Sequence, residues 1–354
     1  MDVKKVSTIA ETEYNETDYE STAGFSGGVI VTPSGVKFDG RLQNFMYRDV
    51  VCNRYNTEKY RHYFEPNNMI GDIASEDHRI HALTITNKAK AKDYVLHYTT
   101  RSDSHVRPLV GIDGHGDPYD LSKCYNTICL YVEISPYSNV VLNEHIWKDS
   151  RCKIFRIVYV LREGANLTIN RSFKTGPAVE QHSTEVIESR IIQHPTSTLE
   201  VNTRNYGNID YLQDLYFVTS YLGAVTNFQN KYIVQDKQSV HCIADVEHVG
   251  PEGVSNVDVK SITNDTSKFT FSGNIKVEKQ AEKVDANLQN KNLQMSDTSV
   301  VVTEPKLDIS TKEIKCSHGC TVSSVDPDQM YLLNTRGFDK EKASDMLIEA
   351  FLNG

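Results

Sequence analysis

Apolar and polar residues alternate in short runs through most of the chain after residue 91. Val, Ile, Tyr and Thr dominate these runs, for example at residues 128–134, 154–161 and 269–277. Strict alternation is the pattern of a half-buried β-strand, and no helical period separates the runs. The pattern predicts a mainly β body, built as a sandwich, a barrel or a β-solenoid.

Two longer phrases within this body resemble each other, residues 129–142 and residues 155–168. Each consists of a strand, a turn at small or polar residues, and a second strand, as consecutive coils of a solenoid would. The chain before the body is less regular. Residues 25–90 combine short strands such as Gly28–Thr32 with a polar stretch, residues 49–63, that is interpreted as helical.

The pattern changes to a helical period in the last thirty residues. Asp326 followed by Pro327 predicts the start of a helix, and Gly337 predicts its end. Asp339 predicts the start of a second helix, whose apolar residues follow i, i+3, i+4, i+7, i+8 spacing. These residues are Ala343, Met346, Leu347, Ala350 and Phe351. The expected helical hairpin either caps an open core or presents a face to a partner.

Charge and composition narrow the class of protein. The formal net charge is −9, from 38 Lys and Arg against 47 Asp and Glu, which argues against a nucleic-acid binder. No run of 18 apolar residues is present, so no membrane-spanning helix is expected. Residues 1–24 are acidic and are interpreted as a flexible leader and not as a targeting peptide. Seven cysteines, an odd number, fit reduced thiols in the cytoplasm.

Cys316, His318 and Cys320 form the most specific candidate site. Alternate residues of a strand point to one face, and thiolate and imidazole are ligands that iron and iron–sulfur species prefer. The alternative is that the cysteines are small buried residues and that the histidine is structural. Both interpretations are open from the spacing alone.

Weaker candidates lie upstream. His241, Cys242 and His248 could form a second ligand group, although His248 is interpreted as a hydrogen-bonded structural residue at a turn. Cys124 and Cys129 lack the second ligand pair that a zinc site needs.

Motifs for nucleotide binding and hydrolysis are missing from the sequence. Neither a P-loop nor an ordered G-x-G-x-x-G occurs, so any ATP chemistry is expected to come from a partner and not from a nucleotide bound by this chain. No G-x-S-x-G or H-E-x-x-H motif occurs either. His115 lies in a turn-like phrase and is interpreted as a surface-loop residue. The residues themselves therefore show no recognised catalytic motif.

The C-terminal third closely resembles a known family. It reads Lys-Cys-Ser-His-Gly-Cys-Thr-Val at 315–322 and Asp-Gln-Met-Tyr-Leu-Leu-Asn-Thr-Arg-Gly-Phe at 328–338, with Glu247, His248 and Pro251 upstream. These phrases resemble the SufB/SufD family of iron–sulfur cluster assembly proteins, and Cys-Ser-His-Gly at 316–319 resembles its SufD branch. The resemblance is firm over residues 240–354 and weaker over residues 91–240.

The resemblance implies a right-handed parallel β-helix with a C-terminal helical hairpin. It implies a scaffold subunit that is not itself an enzyme, pairs with a SufB-like subunit or with a second copy of itself, and binds a SufC-like ABC ATPase. It assigns Cys316 and His318 to iron or a transient iron–sulfur cluster, whereas Cys320 stands where the family usually has Ala. The residues expected to face SufC are Met330, Leu333, Arg336, Gly337, Met346, Leu347 and Phe351.

These observations together predict four parts of the chain. They are the flexible leader (1–24), a mixed N-terminal region (25–90), a β-helix core (91–322) and the helical hairpin (323–354). Two rival hypotheses keep the fold and change the function. A structural β-solenoid binding module would take up no metal and bind no SufC. A metal-dependent enzyme would hold metal in the isolated chain, but no general base is evident beside Cys316, His318 and Cys320.

Overall fold

The computed structural model describes residues 127–148, 152–175, 184–206 and 209–354, together with five short strands between residues 28 and 98. The strands in this part of the chain are β1 Gly28–Thr32, β2 Gly35–Phe38, β3 Val50–Asn53, β4 Ile80–Ile85, β5 Lys92–Tyr98, β6 Thr127–Ile134, β7 Asn139–Lys148, β8 Cys152–Leu161, β9 Asn166–Thr175, β10 Thr184–Gln193, β11 Thr198–Tyr206, β12 Tyr211–Ser220, β13 Val225–Val234, β14 Ser239–His248, β15 Val254–Thr263, β16 Lys268–Val277, β17 Val284–Gln294, β18 Val300–Ile309 and β19 Ile314–Ser324. The helices are α1 Pro327–Thr335 and α2 Lys340–Asn353.

Consecutive strands from β4 onward alternate between two sheets. Sheet A has the order β19-β17-β15-β13-β11-β9-β7-β5-β1-β2, and sheet B has the order β18-β16-β14-β12-β10-β8-β6-β4-β3. Neighbouring strands are parallel, for example β12 with β14, except for the antiparallel end pairs β1 with β2 and β3 with β4. A chain that alternates between two parallel sheets winds as a solenoid, so the predicted β-helix is confirmed.

The helical interpretation of residues 49–63 is wrong where the structure describes them. Val50–Asn53 forms strand β3, which pairs with β4. Two adjacent β-branched residues, Val50 and Val51, favour an extended strand, and pairing with β4 outweighs the polar character of the stretch. The rest of that stretch lies outside the described residues.

The core lies between the two sheets and is built by alternation. Every second residue of β14 is buried, among them Val240 and Cys242. The same positions of successive coils stack in register, so that Val240 lies between Leu212 and Phe269. Each coil covers the apolar face of the coil before it, and the buried apolar area stabilises the stack.

The turns at one edge of the solenoid stack as regularly as the strands. Tyr137 and Thr196 adopt left-handed backbone conformations, with φ of 57° and 58°. Gly164 holds the same position in the turn that lies between these two, with φ of 64°. Its amide donates to Pro195 O of the next turn at 3.1 Å. A Cβ at Gly164 would also overlap the Tyr137 ring, so this turn requires glycine.

A charged group lies inside the solenoid. The Arg171 side chain is fully buried and donates to Glu144 and to Asp214, each at 2.9 Å. It also donates to the Tyr216 hydroxyl at 3.0 Å and to Ser189 Oγ at 2.9 Å. Burial raises the pKa of Asp214, although Arg171 opposes the rise. We call these five residues the Arg171 network.

The helical hairpin begins as the sequence predicts. Asp326 Oδ1 accepts from the Asp328 amide at 2.9 Å, and Pro327 is the first residue of α1. Asp339 Oδ1 caps α2 by accepting from the Lys342 amide at 2.7 Å. Between the helices, Gly337 has φ of 92°, a conformation that favours glycine. Neither helix in the described residues is long and apolar enough to cross a membrane.

Helix α2 packs on the outer face of sheet A. The buried members of this cluster are Ile348 and Leu352 of α2 with Ile233, Ile262 and Leu293 of β13, β15 and β17. Of the predicted apolar stripe, Ala343 is buried and Ala350 is exposed. Apolar side chains of α2 lie on more than one side of the helix here. The side with Ile348 and Leu352 is the one that packs against the apolar residues of the strands. The hairpin thus lies beside the solenoid and does not cap its end.

Candidate functional site

The last coil of the solenoid leaves the core open. Strands β18 and β19 end the two sheets, and in the described part of the chain each pairs with a strand along one edge only. Their inward residues are therefore incompletely covered. Leu307, Ile314 and Cys316 pack against the core but stay half-buried, and Val322 is 47% exposed. An uncovered end of this kind is a surface that a partner can complete.

Cys316, His318 and Cys320 lie on β19 and share its inward side, as the alternation predicts. Cys316 pairs in register with Ala286 of β17, which is buried in the core. His318 pairs in the same way with the buried Leu288. Cys316 is half-buried, whereas His318 and Cys320 are exposed. The three side chains therefore form a row, from partly covered to open, along the mouth of the solenoid.

The two thiols of this row differ in access. Partial burial raises the pKa of the Cys316 thiol, and the Asp285 carboxylate adds to the rise. The Cys316 thiol is consequently protonated at neutral pH and must lose its proton to bind iron. Cys320 is a free thiol in contact with solvent. The row combines one protected sulfur, one accessible sulfur and one exposed imidazole.

Spacing along the strand limits what the row can hold. Alternate residues of a strand lie about 6.7 Å apart, so three side chains in a row do not converge on one ion. Accordingly, among the described residues no group of three or more His, Cys, Asp or Glu side chains is arranged to hold a metal ion. The row can supply one or two ligands to iron or to a larger cluster whose other ligands come from elsewhere.

The second candidate group does not come together. Alternation in β14 places His241 outside and Cys242 in the core, 3.5 Å from the Tyr232 hydroxyl. Burial raises the pKa of the Cys242 thiol far above its ordinary value, so this thiol is unreactive. His248 is buried with Nε2 2.9 Å from Ser255 Oγ, and burial lowers its pKa to about 4. His248 is thus a neutral structural residue, as predicted.

The Arg171 network was not predicted from the sequence. Its signal was present, because Glu144 and Arg171 occupy inward positions of alternating strands, where apolar residues are expected. The network is closed to solvent and is separate from the row on β19. Three upstream candidates, His115, Cys124 and the Cys129 side chain, lie outside the described residues.

The hairpin residues predicted to face a partner occupy different environments. Arg336 and Gly337 are exposed, Met330, Leu333, Met346 and Leu347 are half-buried, and Phe351 is half-buried against the cluster on sheet A. Three apolar side chains that were not predicted are more exposed: Tyr331 at 70%, Leu332 at 50% and Phe338 at 37%. We call these three residues the hairpin face. The signal for Tyr331 and Leu332 was the unbroken apolar phrase at residues 330–333, which one helix cannot bury on one side, whereas Phe338 lies in the loop between the helices.

Sequence comparison places this architecture among known proteins. Residues 126–351, more than half of the chain, match the family model described as SUF system FeS cluster assembly, SufBD core domain. The chain belongs to the SufBD family. The match begins at the start of β6 and includes β19 and nearly all of the hairpin, so the SufBD core contains both the row and the hairpin face.

Curated SufBD relatives include both branches of the family. The iron–sulfur cluster assembly protein SufD of Escherichia coli (strain K12) is 39% identical over 92 residues, 26% of this chain and 22% of the relative. SufD of Bacillus subtilis (strain 168) is 22% identical over 213 residues, 60% of this chain and 45% of the relative. SufB of the same strain is 30% identical over 105 residues, 30% of this chain and 23% of the relative. The chain thus matches less than half the length of each of these relatives, and the predicted resemblance to the SufB/SufD family is confirmed.

Proposed function

We propose that this SufBD-family chain is a SufD-like scaffold subunit in iron–sulfur cluster assembly, with iron or the nascent cluster as its cargo. The observation that carries the proposal is the open last coil, where Cys316, His318 and Cys320 form a row of sulfur and nitrogen ligands. Sulfur and imidazole ligands suit iron, and an exposed row suits a cargo that must later leave.

A second subunit follows from the chemistry of the row. One or two ligands on a strand leave iron with empty coordination positions, which a partner would fill. A SufB-like subunit, or a second copy of this chain, would do so by covering the open end. The same contact would bury inward apolar side chains such as Leu307 and Val322, which the chain leaves partly in water.

The hairpin is the proposed docking site for a SufC-like ATPase. The sequence has no nucleotide-binding motif, so ATP hydrolysis would belong to the partner. The hairpin face, Tyr331, Leu332 and Phe338, offers aromatic and aliphatic anchors of the kind that dominate interfaces. Full burial of a side chain such as Leu332 contributes about 1.5–3 kcal/mol. The chain itself would carry out no reaction.

Co-purification with SufB-like and SufC-like proteins of the same organism, scored by stoichiometry, tests this proposal. The double variant Tyr331→Ala with Leu332→Ser should weaken binding of the SufC-like ATPase by about tenfold or more, because it removes two exposed anchors. Binding of the SufB-like subunit should persist.

A matched control is Tyr137→Ala, which removes a tyrosine of similar exposure, 57%, from a turn of the solenoid. It should retain both partners. Full retention of the ATPase by the hairpin variant would contradict the docking site. Failure of the wild-type chain to bind either partner would favour a structural β-solenoid without a role in assembly.

A further inference from the structure

Cations occupy the same position of four successive coils on the outer face of sheet A. Arg204, Lys231, Lys260 and Lys291 are neighbours in register on β11, β13, β15 and β17. We call them the cation column. Neighbouring strands lie about 4.8 Å apart, so the column brings like charges close together, which by itself is unfavourable. A compensating negative group is therefore expected beside it.

Lys260 differs from its neighbours in the column because it is buried. It is 6% exposed, whereas Lys231 and Lys291 are half-buried. Its Nζ donates to the carbonyl oxygens of Phe351 and Leu352, at 3.2 Å and 3.4 Å. A lysine ammonium is rarely removed from water without such partners.

The hydrogen-bond partners of Lys260 supply the negative group that is expected beside the cation column. Phe351 and Leu352 belong to the last turn of α2, where backbone carbonyls lack partners within the helix and carry its partial negative charge. Lys231 approaches the same end, with Nζ 3.5 Å from Asn353 Oδ1. The column thus meets the negative end of a helix, and Leu352 packs beside it on Ile262 and its neighbours.

We propose that Lys260 is a positioning residue, which fixes the C-terminal end of α2 on the solenoid and thereby sets the orientation of the hairpin face. Helix α1 has no buried residue. Its start is held by Val325, whose amide donates to Gln294 O at 3.3 Å, and the position of its far end depends on the connection to α2. Lys260 lies two strands away from the row of ligands, because β15 pairs with β17 and β17 pairs with β19. The effect on a partner rests on the proposed function, whereas the anchoring of α2 does not.

The test uses the full chain and three variants. Lys260→Met keeps the length of the stem and removes the donors, and Lys260→Arg keeps the donors. Lys291→Met is a matched control one coil further along the same column. The readouts are amide hydrogen exchange of residues 348–353, affinity for the SufC-like ATPase, and the unfolding midpoint of the β body.

Lys260→Met should speed amide hydrogen exchange at the end of α2 by about tenfold and lower the affinity for the SufC-like ATPase by about fivefold or more. The unfolding midpoint of the β body should not change. Lys260→Arg should restore both properties, and Lys291→Met should match wild type. Wild-type exchange in Lys260→Met would overturn the anchor, and faster exchange with unchanged affinity would overturn the positioning role. A lowered β-body midpoint would place Lys260 in the solenoid instead. If the wild-type chain does not bind the ATPase, the proposed function fails, and the exchange comparison still decides the anchor.

Discussion

Replacing Arg171 by Met tests whether the buried charges of the Arg171 network compensate one another. The substitution keeps a side chain of similar length in the core and removes every donor of the guanidinium. Glu144 and Asp214, each 2.9 Å from Arg171 in the native protein, would then remain buried without a cation. The Tyr216 and Ser189 hydroxyls would each lose one partner.

The expected loss of unfolding free energy is about 4–5 kcal/mol near neutral pH. Breaking a buried ion pair by removing one partner costs about 3–5 kcal/mol, because it leaves the other charge uncompensated. Arg171 serves two carboxylates, and its side chain and theirs have no exposure to solvent. The upper part of that range is therefore the appropriate expectation.

The loss should depend on pH. Burial raises the pKa of Asp214, so above the ordinary pKa of an aspartate the native protein binds more protons than the unfolded chain, and its stability falls as the pH rises. Arg171 opposes the rise of this pKa, so its removal would raise the pKa of Asp214 further. The deficit of Arg171→Met should therefore be smaller at about pH 5, where Asp214 takes up a proton more readily, than at about pH 8.

Urea denaturation followed by circular dichroism measures both effects. The matched control is Arg162→Met, which breaks the ion pair with Glu133 at 2.9 Å, where the side chains are 34% and 22% exposed. This control should lose less than about 1 kcal/mol. Asp214→Asn added to Arg171→Met should recover part of the loss. A deficit equal to that of the control, or one that grows toward acid pH, would refute the interpretation of the network.

Two further predictions concern protonation and thiol access. Burial lowers the pKa of His248 to about 4, so the native protein keeps it neutral while the unfolded chain takes up a proton below about pH 6.5. The free energy of unfolding should therefore fall by about 3 kcal/mol between about pH 6.5 and about pH 4. Denaturation at several pH values should show a flatter dependence in His248→Gln. An unchanged slope in the variant would show that other groups cause the loss. Iodoacetamide alkylation followed by peptide mass spectrometry should modify Cys320 first, Cys316 more slowly and Cys242 only on unfolding. Solvent exposure falls in that order, and burial raises the pKa of the Cys316 and Cys242 thiols. Rapid modification of Cys242 in the native protein would contradict its place in the core.

The solenoid could be predicted from the sequence because the burial of apolar side chains that stabilises it leaves its pattern within each single strand. A strand that buries one face must alternate, and strands such as β14 show the alternation directly. The docking of α2 could not be predicted in this way. It depends on Ile233, Ile262 and Leu293, which lie on three different coils, and on Lys260, which in sequence resembles any solvated lysine.

The candidate site was predictable in part for the same reason. Alternation predicts that Cys316, His318 and Cys320 share a face, and the register of β19 with β17 confirms it. Exposure could not be predicted, because Cys242 and Cys316 both take inward positions of a strand. Further coils cover Cys242, whereas Cys316 lies on the last strand of sheet A. Position in the stack, and not local sequence, separates an inert thiol from a candidate ligand.

The proposed scaffold role depends on the row of candidate ligands, and the behaviour of the two thiols tests whether they share one site. In a complex reconstituted with SufB-like and SufC-like subunits, Cys316→Ser alone should lower cluster formation only partly, because Cys320 on the same face still offers a sulfur to a cluster that extends along the strand. Cys316→Ser combined with Cys320→Ser should lower it by more than the two single effects together. Additive effects would place Cys320 outside the site.

The most direct test of the central claim is the cluster absorbance of the same complex with His318→Ala. His318 is exposed on β19, so its truncation removes a nitrogen ligand without opening a cavity or unfolding the solenoid. We expect an intact complex of wild-type stoichiometry that forms no cluster. Wild-type cluster absorbance in this variant would contradict the claim that this chain holds iron or nascent cluster at its open end.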